Sequence, residues 1–360
     1  MRVLVLSPFP AGPAYGGALV RIQWLARGLA RRHRVWLACR GPLGPGPDFA
    51  HCEVVPGPSG RLAQLFHPGW LGRLVRLVKA RDIEVLFACT VLTGVHAVLL
   101  KLLTGRRLVL DSPNVEHLRL RRAGDPLWPA MAALEGTVCR LADRVLCVSE
   151  ADRRLLARSL GLPPERIAVV PNGADVARLG AVRVDRQAVR QARGCPPGHK
   201  VLLFFGVLSY QPNRLAVQAL LEEIVPRLKG LPFRLWIAGH GGETLRLGAL
   251  PAEVSLTGFV DDIAPLIKAA DLVLVPLTAG SGTRLKILES VACGTPVVST
   301  SLGAEGLDRS LLGDYLWVAD GWEAFARAVR QRLEEPVGPL PEGFARAYDW
   351  QVIVDRDLLG

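Results

Sequence analysis

Pro276–Leu307 reads PLTAGSGTRLKILESVACGTPVVSTSLGAEGL, and the order of its pieces decides the fold. A strand end runs into a glycine-rich turn, then a helix, a tight turn, a buried strand and a second glycine-containing loop. The turn Gly280-Ser281-Gly282-Thr283 can bring backbone N–H groups close to an anion, and the following helix points its positive dipole end at the same spot. Arg284 and Lys286 add two full positive charges in the first turn, and Glu289, three residues after Lys286, shares that helix face. Cations for phosphates with a carboxylate one turn deeper, for ribose hydroxyls, suit a nucleotide diphosphate. An ordinary Lys–Glu pair on a solvated helix start has the same spacing, so the wider chain has to decide.

Outward from this stretch, short β-like runs alternate with amphipathic helical runs, the pattern of doubly wound α/β architecture. In the first half strands are expected at Arg2–Ser7, Arg34–Cys39, Cys52–Val55, Glu84–Ala88, Arg107–Asp111, Arg144–Val148 and Arg166–Val170. The alternation stops at Val170-Pro171-Asn172-Gly173, and an irregular charged stretch to about Lys200 reads as an interdomain linker. It restarts with Val201–Val207, Arg234–Gly239, Val254–Gly258, Leu272–Pro276, Pro296–Thr300 and Tyr315–Val318, with helices near Pro212–Lys229, Asp261–Ala270, Arg284–Cys293 and Trp322–Glu334. Two similar α/β domains in tandem are therefore expected. After the first strand, Gly16-Gly17 precede a helix at Leu19–Arg31, a junction on the carboxyl edge where open α/β sheets bind ligands. It is not a GxGxxG fingerprint, which counts against a standard nicotinamide enzyme.

Composition narrows the class. The chain has 360 residues, enough for two cores, and is 50% hydrophobic, which excludes a largely disordered protein. RVLVLS at the N-terminus reads as a strand and not a signal peptide, and the apolar run Val91–Leu103 is broken by His96 and Lys101, so a cytoplasmic chain without a spanning helix is expected. The seven cysteines form no CxxC pair and no ligand-spaced cluster, and they read as reduced core residues without a metal. The net charge of +11 belongs to the first half: Met1–Asp175 holds 24 Lys+Arg against 13 Asp+Glu, and the remainder is neutral. Arg21, Arg27, Arg31 and Arg32 read as a solvated helix face. In Arg61–Arg81, Phe66, Trp70, Leu71, Leu74, Leu77 and Val78 alternate with Arg73, Arg76, Lys79 and Arg81. That composition fits an interfacial helix on an anionic membrane and equally a helix packed on its own sheet. No nucleic-acid module is recognised, so nucleic acid is not an expected partner.

The motifs in order are PAYGGALVRIQWLARGLARRHRV, LDSPNVEHLRLRR, DRVLCVSEADRRLL, IAVVPNGAD, LSYQPNRLAV, LTGFVDDIAPLIKAADLVLVPL and the opening stretch. Together they span nearly the whole chain, which resembles the retaining glycosyltransferases of family 4, the "group 1" transferases of GT-B fold. The resemblance implies two tandem Rossmann-like doubly wound domains facing across a cleft: 1–175 on the acceptor side, 176–344 binding the donor, and a C-terminal helix, 345–360, packing back on the first. It implies transfer of a sugar from a nucleotide diphosphate sugar to a glycan, lipid-linked or other envelope-precursor hydroxyl, with retention and without a metal or cofactor.

By the same resemblance Gly16 and Gly17 approach the donor diphosphate or the acceptor. Gly258, Phe259 and Val260 line the base pocket. Gly280, Ser281, Gly282, Thr283 and Leu285 complete the donor loop. Arg284 and Lys286 neutralise the diphosphate, and Glu289 holds the ribose. Asp261-Asp262 reads as a helix cap, and Gly303-Ala304-Glu305-Gly306 has no assigned role. Three features depart from the family's pattern. Ser281 stands where many relatives carry a sugar-binding Glu, and Pro113 stands in the histidine position of DxHNVE, which leaves His117, in a different register, as the candidate. Only Arg214 offers a cation after the first strand of the second domain. These departures keep two alternatives open: a nucleotide-sugar or polyanion binding protein of the same fold, and a nucleotide-sugar epimerase.

Overall fold

The computed structural model describes residues 1–10, 16–40, 52–57, 67–245 and 247–360. The chain divides into two units, Met1–Pro171 with Ile353–Gly360, and Asn172–Val352. The first unit holds β1 (Arg2–Leu6), β2 (Arg34–Arg40), β3 (Cys52–Gly57), β4 (Val85–Cys89), β5 (Arg107–Asp111), β6 (Arg144–Cys147) and β7 (Ile167–Val169). They form one parallel sheet in the order β3-β2-β1-β4-β5-β6-β7. The second holds β8 (Lys200–Phe205), β9 (Phe233–Ala238), β10 (Val254–Gly258), β11 (Leu272–Val275), β12 (Val297–Ser299) and β13 (Leu316–Val318). Their parallel order is β10-β9-β8-β11-β12-β13. All thirteen strands fall within two residues of the expected bounds at each end.

The central strands are apolar at every position, VLFAC in β4 and LVLV in β11, and every residue of both is buried. A parallel sheet covered by helices on both faces demands that pattern. Trp36 anchors the first core, and Trp236 with Phe204 the second. In each sheet the first strand of the unit lies beside the fourth, so the strand order reverses between β1 and β4 and between β8 and β11. Ligands of open parallel sheets bind outside the carboxyl ends of the strands at such reversals.

Two expectations are corrected. The stretch read as an irregular linker contains the helices Val176–Ala181 and Arg186–Ala192. Asp175 starts the first by accepting from the Arg178 N–H, and Asp185 starts the second by accepting from the N–H groups of Gln187 and Ala188. The single helix expected at Pro212–Lys229 is instead Gln211–Ala219, a π turn at Leu220–Ile224 and a last turn Val225–Arg227. Pro226 explains it: proline has no N–H and its ring crowds the carbonyl four residues back, so the ladder widens before it. The six cysteines with described side chains are buried. Among the described residues no helix is long and apolar enough to cross a membrane.

Candidate active site

In the second unit, the chain leaves β11 and makes a glycine-dependent turn. Gly280 has φ 109° and Gly282 φ 74°, both in the left-handed region that L side chains avoid. Thr283 is buried, and its hydroxyl accepts from Asn172 Nδ2 at 2.8 Å. Arg284 occupies the N-cap of the helix Leu285–Ala292, and among the described residues no side chain caps it. The Arg284 guanidinium folds back to donate to the carbonyls of Ser281 and Gly282. It thus holds the turn closed as well as charging it. The Ser281 hydroxyl is buried and has no hydrogen-bond partner among the described residues.

Lys286 points toward the end of β8. Its Nζ donates to Asn213 Oδ1 at 3.0 Å and lies 4.1 Å from the centroid of the Phe204 ring. Asn213 in turn donates to the Val207 carbonyl at 2.8 Å, so one amide ties the loop after β8 to the cation. Burial, with the nearby Arg284 charge, pushes the Lys286 pKa down to about 7, against the opposing pull of Glu289. Burial also pushes Glu289 up to about 7, opposed by Arg178 and Lys286 and assisted by Asp262. Both side chains are half-buried. Neither is the solvated surface pair that the same spacing allows.

Glycines complete the edge. A Cβ on Gly239, where β9 ends, would stand 1.8 Å from the Gly206 carbonyl oxygen at the end of β8, so only glycine fits this backbone-to-backbone approach. At the end of β10, Gly258 has φ 73°, and the half-exposed Phe259 meets His240 edge-on with centroids 6.4 Å apart. Asp262 lies one residue before the N-cap Ile263 of the helix Ala264–Ala269, and it accepts from the Ala264 N–H at 3.0 Å and from Arg178 at 3.2 Å. Gly303 packs against the ends of β11 and β12, where a Cβ would meet Ser299 Oγ at 2.3 Å. Arg214 is exposed on its helix.

The first unit has its own carboxyl edge. Gly16 (φ 99°) and Gly17 open the helix Gly17–Arg32 after β1. Arg21 on that helix is not solvated as expected. It grips Asp111, with Nη2–Oδ1 at 2.6 Å and Nε–Oδ2 at 2.9 Å, and both side chains are 1% exposed. His117 is buried, and its Nδ1 lies 2.6 Å from Glu135 Oε2. The same carboxylate accepts from the backbone N–H groups of Glu116 and His117. Glu135 was not singled out in the sequence; its place on the amphipathic helix Trp128–Leu141 carries no signal that it faces a histidine 18 residues earlier. Asn213 and Arg178 escaped notice for the same reason.

The described part of the basic-aromatic stretch is the helix Pro68–Ala80 with its flanks; residues 61–66 lie outside the described residues. Trp70, Leu74 and Val78 are buried in the first core, while Arg73, Arg76, Lys79 and Arg81 are exposed. The apolar face therefore serves the fold. Among the described residues no three His, Cys, Asp or Glu side chains are grouped to hold a metal ion.

Comparison with known proteins agrees with this layout. The model of Glycosyltransferase Family 4 matches residues 15–178, and that of Glycosyl transferases group 1 matches 199–335. The D-inositol 3-phosphate glycosyltransferase of Rhodococcus erythropolis is 32% identical over 209 residues, 54% of this chain and 46% of that protein. The chain spans about half the length of the curated relatives it matches. Among solved structures, Anabaena Alr3699/HepE in complex with UDP and glucose superposes with a TM-score of 0.74 at 19% identity, covering 98% of this chain and 96% of that one. Sucrose-phosphate synthase from Thermosynechococcus elongatus gives 0.76 at 17% identity with the same coverage. Both have the GT-B fold seen here as two parallel sheets of seven and six strands. With the two family models matching residues 15–178 and 199–335, the chain belongs to the group 1, family 4 glycosyltransferases.

Proposed function

We propose that the protein transfers a sugar from a nucleotide diphosphate sugar to a hydroxyl of a glycan, lipid-linked sugar or other envelope precursor, with retention and without a metal. The observation that carries this reading is Lys286, a half-buried ammonium with a pKa near 7 beside an uncapped helix N-terminus and a glycine turn. A diphosphate seated there meets backbone N–H groups and a cation whose charge it restores, because an adjacent anion favours the protonated lysine. As the glycosidic bond to the diphosphate breaks, negative charge grows on the leaving phosphate. Lys286 and the helix N-terminus are already oriented toward that charge and need no reorganisation. Arg284 shapes the loop and adds a longer-range charge.

In this reading Glu289 accepts hydrogen bonds from the ribose hydroxyls, and the unpartnered Ser281 hydroxyl takes over contacts that a carboxylate makes in many relatives. Gly258, Phe259 and Val260 flank the base. In the first unit Glu135 fixes the ring of His117 through Nδ1 and leaves Nε2 for the acceptor. UDP-glucose is the donor to try first, since structural neighbours are described with UDP and UDP-glucose. The exposed Arg73, Arg76, Lys79 and Arg81 support peripheral attraction to an anionic inner membrane surface through charge, without the apolar face.

The test is donor turnover by the full chain against an acceptor panel. Lys286→Ala is expected to lower kcat/KM about 100-fold, the usual loss on removing one preorganised stabiliser of developing charge. Glu289→Ala is expected to weaken UDP binding. Full activity in both variants would refute the site. UDP binding without transfer to any acceptor would favour the binding-protein alternative suggested by Pro113, and an isomerised sugar nucleotide formed without acceptor would favour an epimerase.

A further inference from the structure

At the opposite, amino end of the second sheet lies a cavity of about 450 Å³. Lys200, the first residue of β8, lines it, as do Asp271 just before β11 and the Thr295-Pro296 pair just before β12. It is therefore separated from Gly206 and the Gly280–Thr283 turn by the length of the strands. Five cations line it, Arg183, Arg186, Lys200, Lys268 and Arg332, against two carboxylates, Asp271 and Glu335.

The carboxylates leave most of that charge uncompensated. Asp271 is committed to Arg186 at 2.9 Å, to Arg190 at 2.8 Å and to the Val201 N–H at 2.7 Å. Glu335 lies on the rim, 3.8 Å from Arg332. Arg332 is the informative residue. It is 2% exposed, yet only its Nη1 donates, to the Glu335 carbonyl at 2.9 Å. Its Nε and Nη2 are buried and have no acceptor among the described residues. The guanidinium lies 5.7 Å from the centroid of the Trp317 ring, but a π face offers no lone pair to N–H groups in the guanidinium plane. A buried guanidinium with two idle nitrogens is costly unless an acceptor arrives.

We propose that this cavity binds a phosphate dianion, free or as a phosphomonoester, through Arg332, Lys200 and Arg183, at a site separate from the donor loop. One feature opposes an anion here. The helix Leu285–Ala292 ends at Cys293 on the cavity wall and presents the negative end of its dipole. That end amounts to roughly half an elementary charge, less than the cation excess. Cys293 itself competes for nothing, since burial pushes its thiol up to about 12.

Calorimetric titration of the full chain with inorganic phosphate and, separately, with glycerol 1-phosphate tests the proposal. In the Lys286→Ala background, which removes the donor-loop cation, saturable single-site binding is expected, weakened at least about tenfold by Lys200→Gln and by Arg332→Gln. Should Arg332→Gln fail to fold, the exposed and half-buried pair Arg183→Gln/Lys200→Gln decides. Tighter binding of the ester than of phosphate assigns the site to a phosphorylated metabolite, and equal binding assigns it to phosphate itself. No binding at millimolar ligand, or binding lost with Lys286→Ala and kept with Lys200→Gln, overturns it. Because no arm measures sugar transfer, failure here leaves the transferase reading untouched.

Discussion

The carboxyl edges of the two sheets share one plan and differ in how they treat buried charge. In the first unit Arg21 meets Asp111 in a two-point ion pair, and His117 meets Glu135, which also takes two backbone N–H groups. In the second unit Lys286 has one neutral amide and one aromatic face, and among the described residues no hydrogen bond reaches the Glu289 carboxylate. Burial has pushed both toward their neutral forms. Among the described residues, these buried charges of the first edge are already paired without a ligand. The second carries a deficit that an anionic ligand with hydroxyl donors would remove, so equivalent mutations at the two edges should move stability in opposite directions.

The largest effect should come from Asp111→Ala, which leaves Arg21 buried and unpaired. We expect the first unit to lose about 3–5 kcal/mol, read from urea unfolding monitored in that unit. A loss under about 1 kcal/mol would mean the pair behaves like a surface one. Gly239→Ala comes next, because its Cβ would be driven into the Gly206 carbonyl. About 3 kcal/mol of destabilisation, the upper end of overpacking costs, is expected together with weaker UDP binding.

Glu289→Gln should have the opposite sign. A carboxylate raised from its ordinary 4.5 to about 7 costs stability fully above pH 7 and not at all below pH 4.5. The variant should therefore gain about 1 kcal/mol at pH 8, after allowing for its partial solvent contact, and nothing near pH 4. Thermal melts across that range would show it, and a flat difference would contradict the comparison. For Lys286 the cost is full below about pH 7 and fades as pH climbs toward the ordinary 10.5. The two costs overlap near neutrality, where the second unit should be least stable without ligand. The smallest signal is proton uptake when UDP binds above pH 7, as the diphosphate restores charge to Lys286. Calorimetry in buffers of different ionisation enthalpy measures it, and zero uptake would place the diphosphate elsewhere.

Much of this layout was legible in the residues. Uninterrupted apolar runs such as LVLV in β11 identify strands buried on both faces, and glycine runs after them mark the sheet edges. The glycine turn and the Lys286–Glu289 pair were readable because all their members lie within ten residues. Partners far apart in sequence were not. Arg21 looks like any charge on a helix face until folding sets Asp111 against it, and Glu135 looks like a solvated helix residue. Periodicity reports which face a residue occupies and not what stands opposite. The short helices after Asp175 and Asp185 were missed because a capping aspartate followed by a charged turn leaves almost no apolar stripe to detect.

The segment Ile353–Gly360 belongs to the first unit, where Arg107 donates to the carbonyls of Leu359 and Gly360, each at 2.6 Å. On the ribosome these residues emerge only after the whole of Asn172–Val352 has been made. The first unit is thus synthesised first and finished last: its sheet can assemble early, but Ile353 and Val354 cannot take their buried places until translation has passed through the other unit. The order of synthesis and the order of completion run in opposite directions, so the nascent first unit must wait, partly uncovered, for its last eight residues.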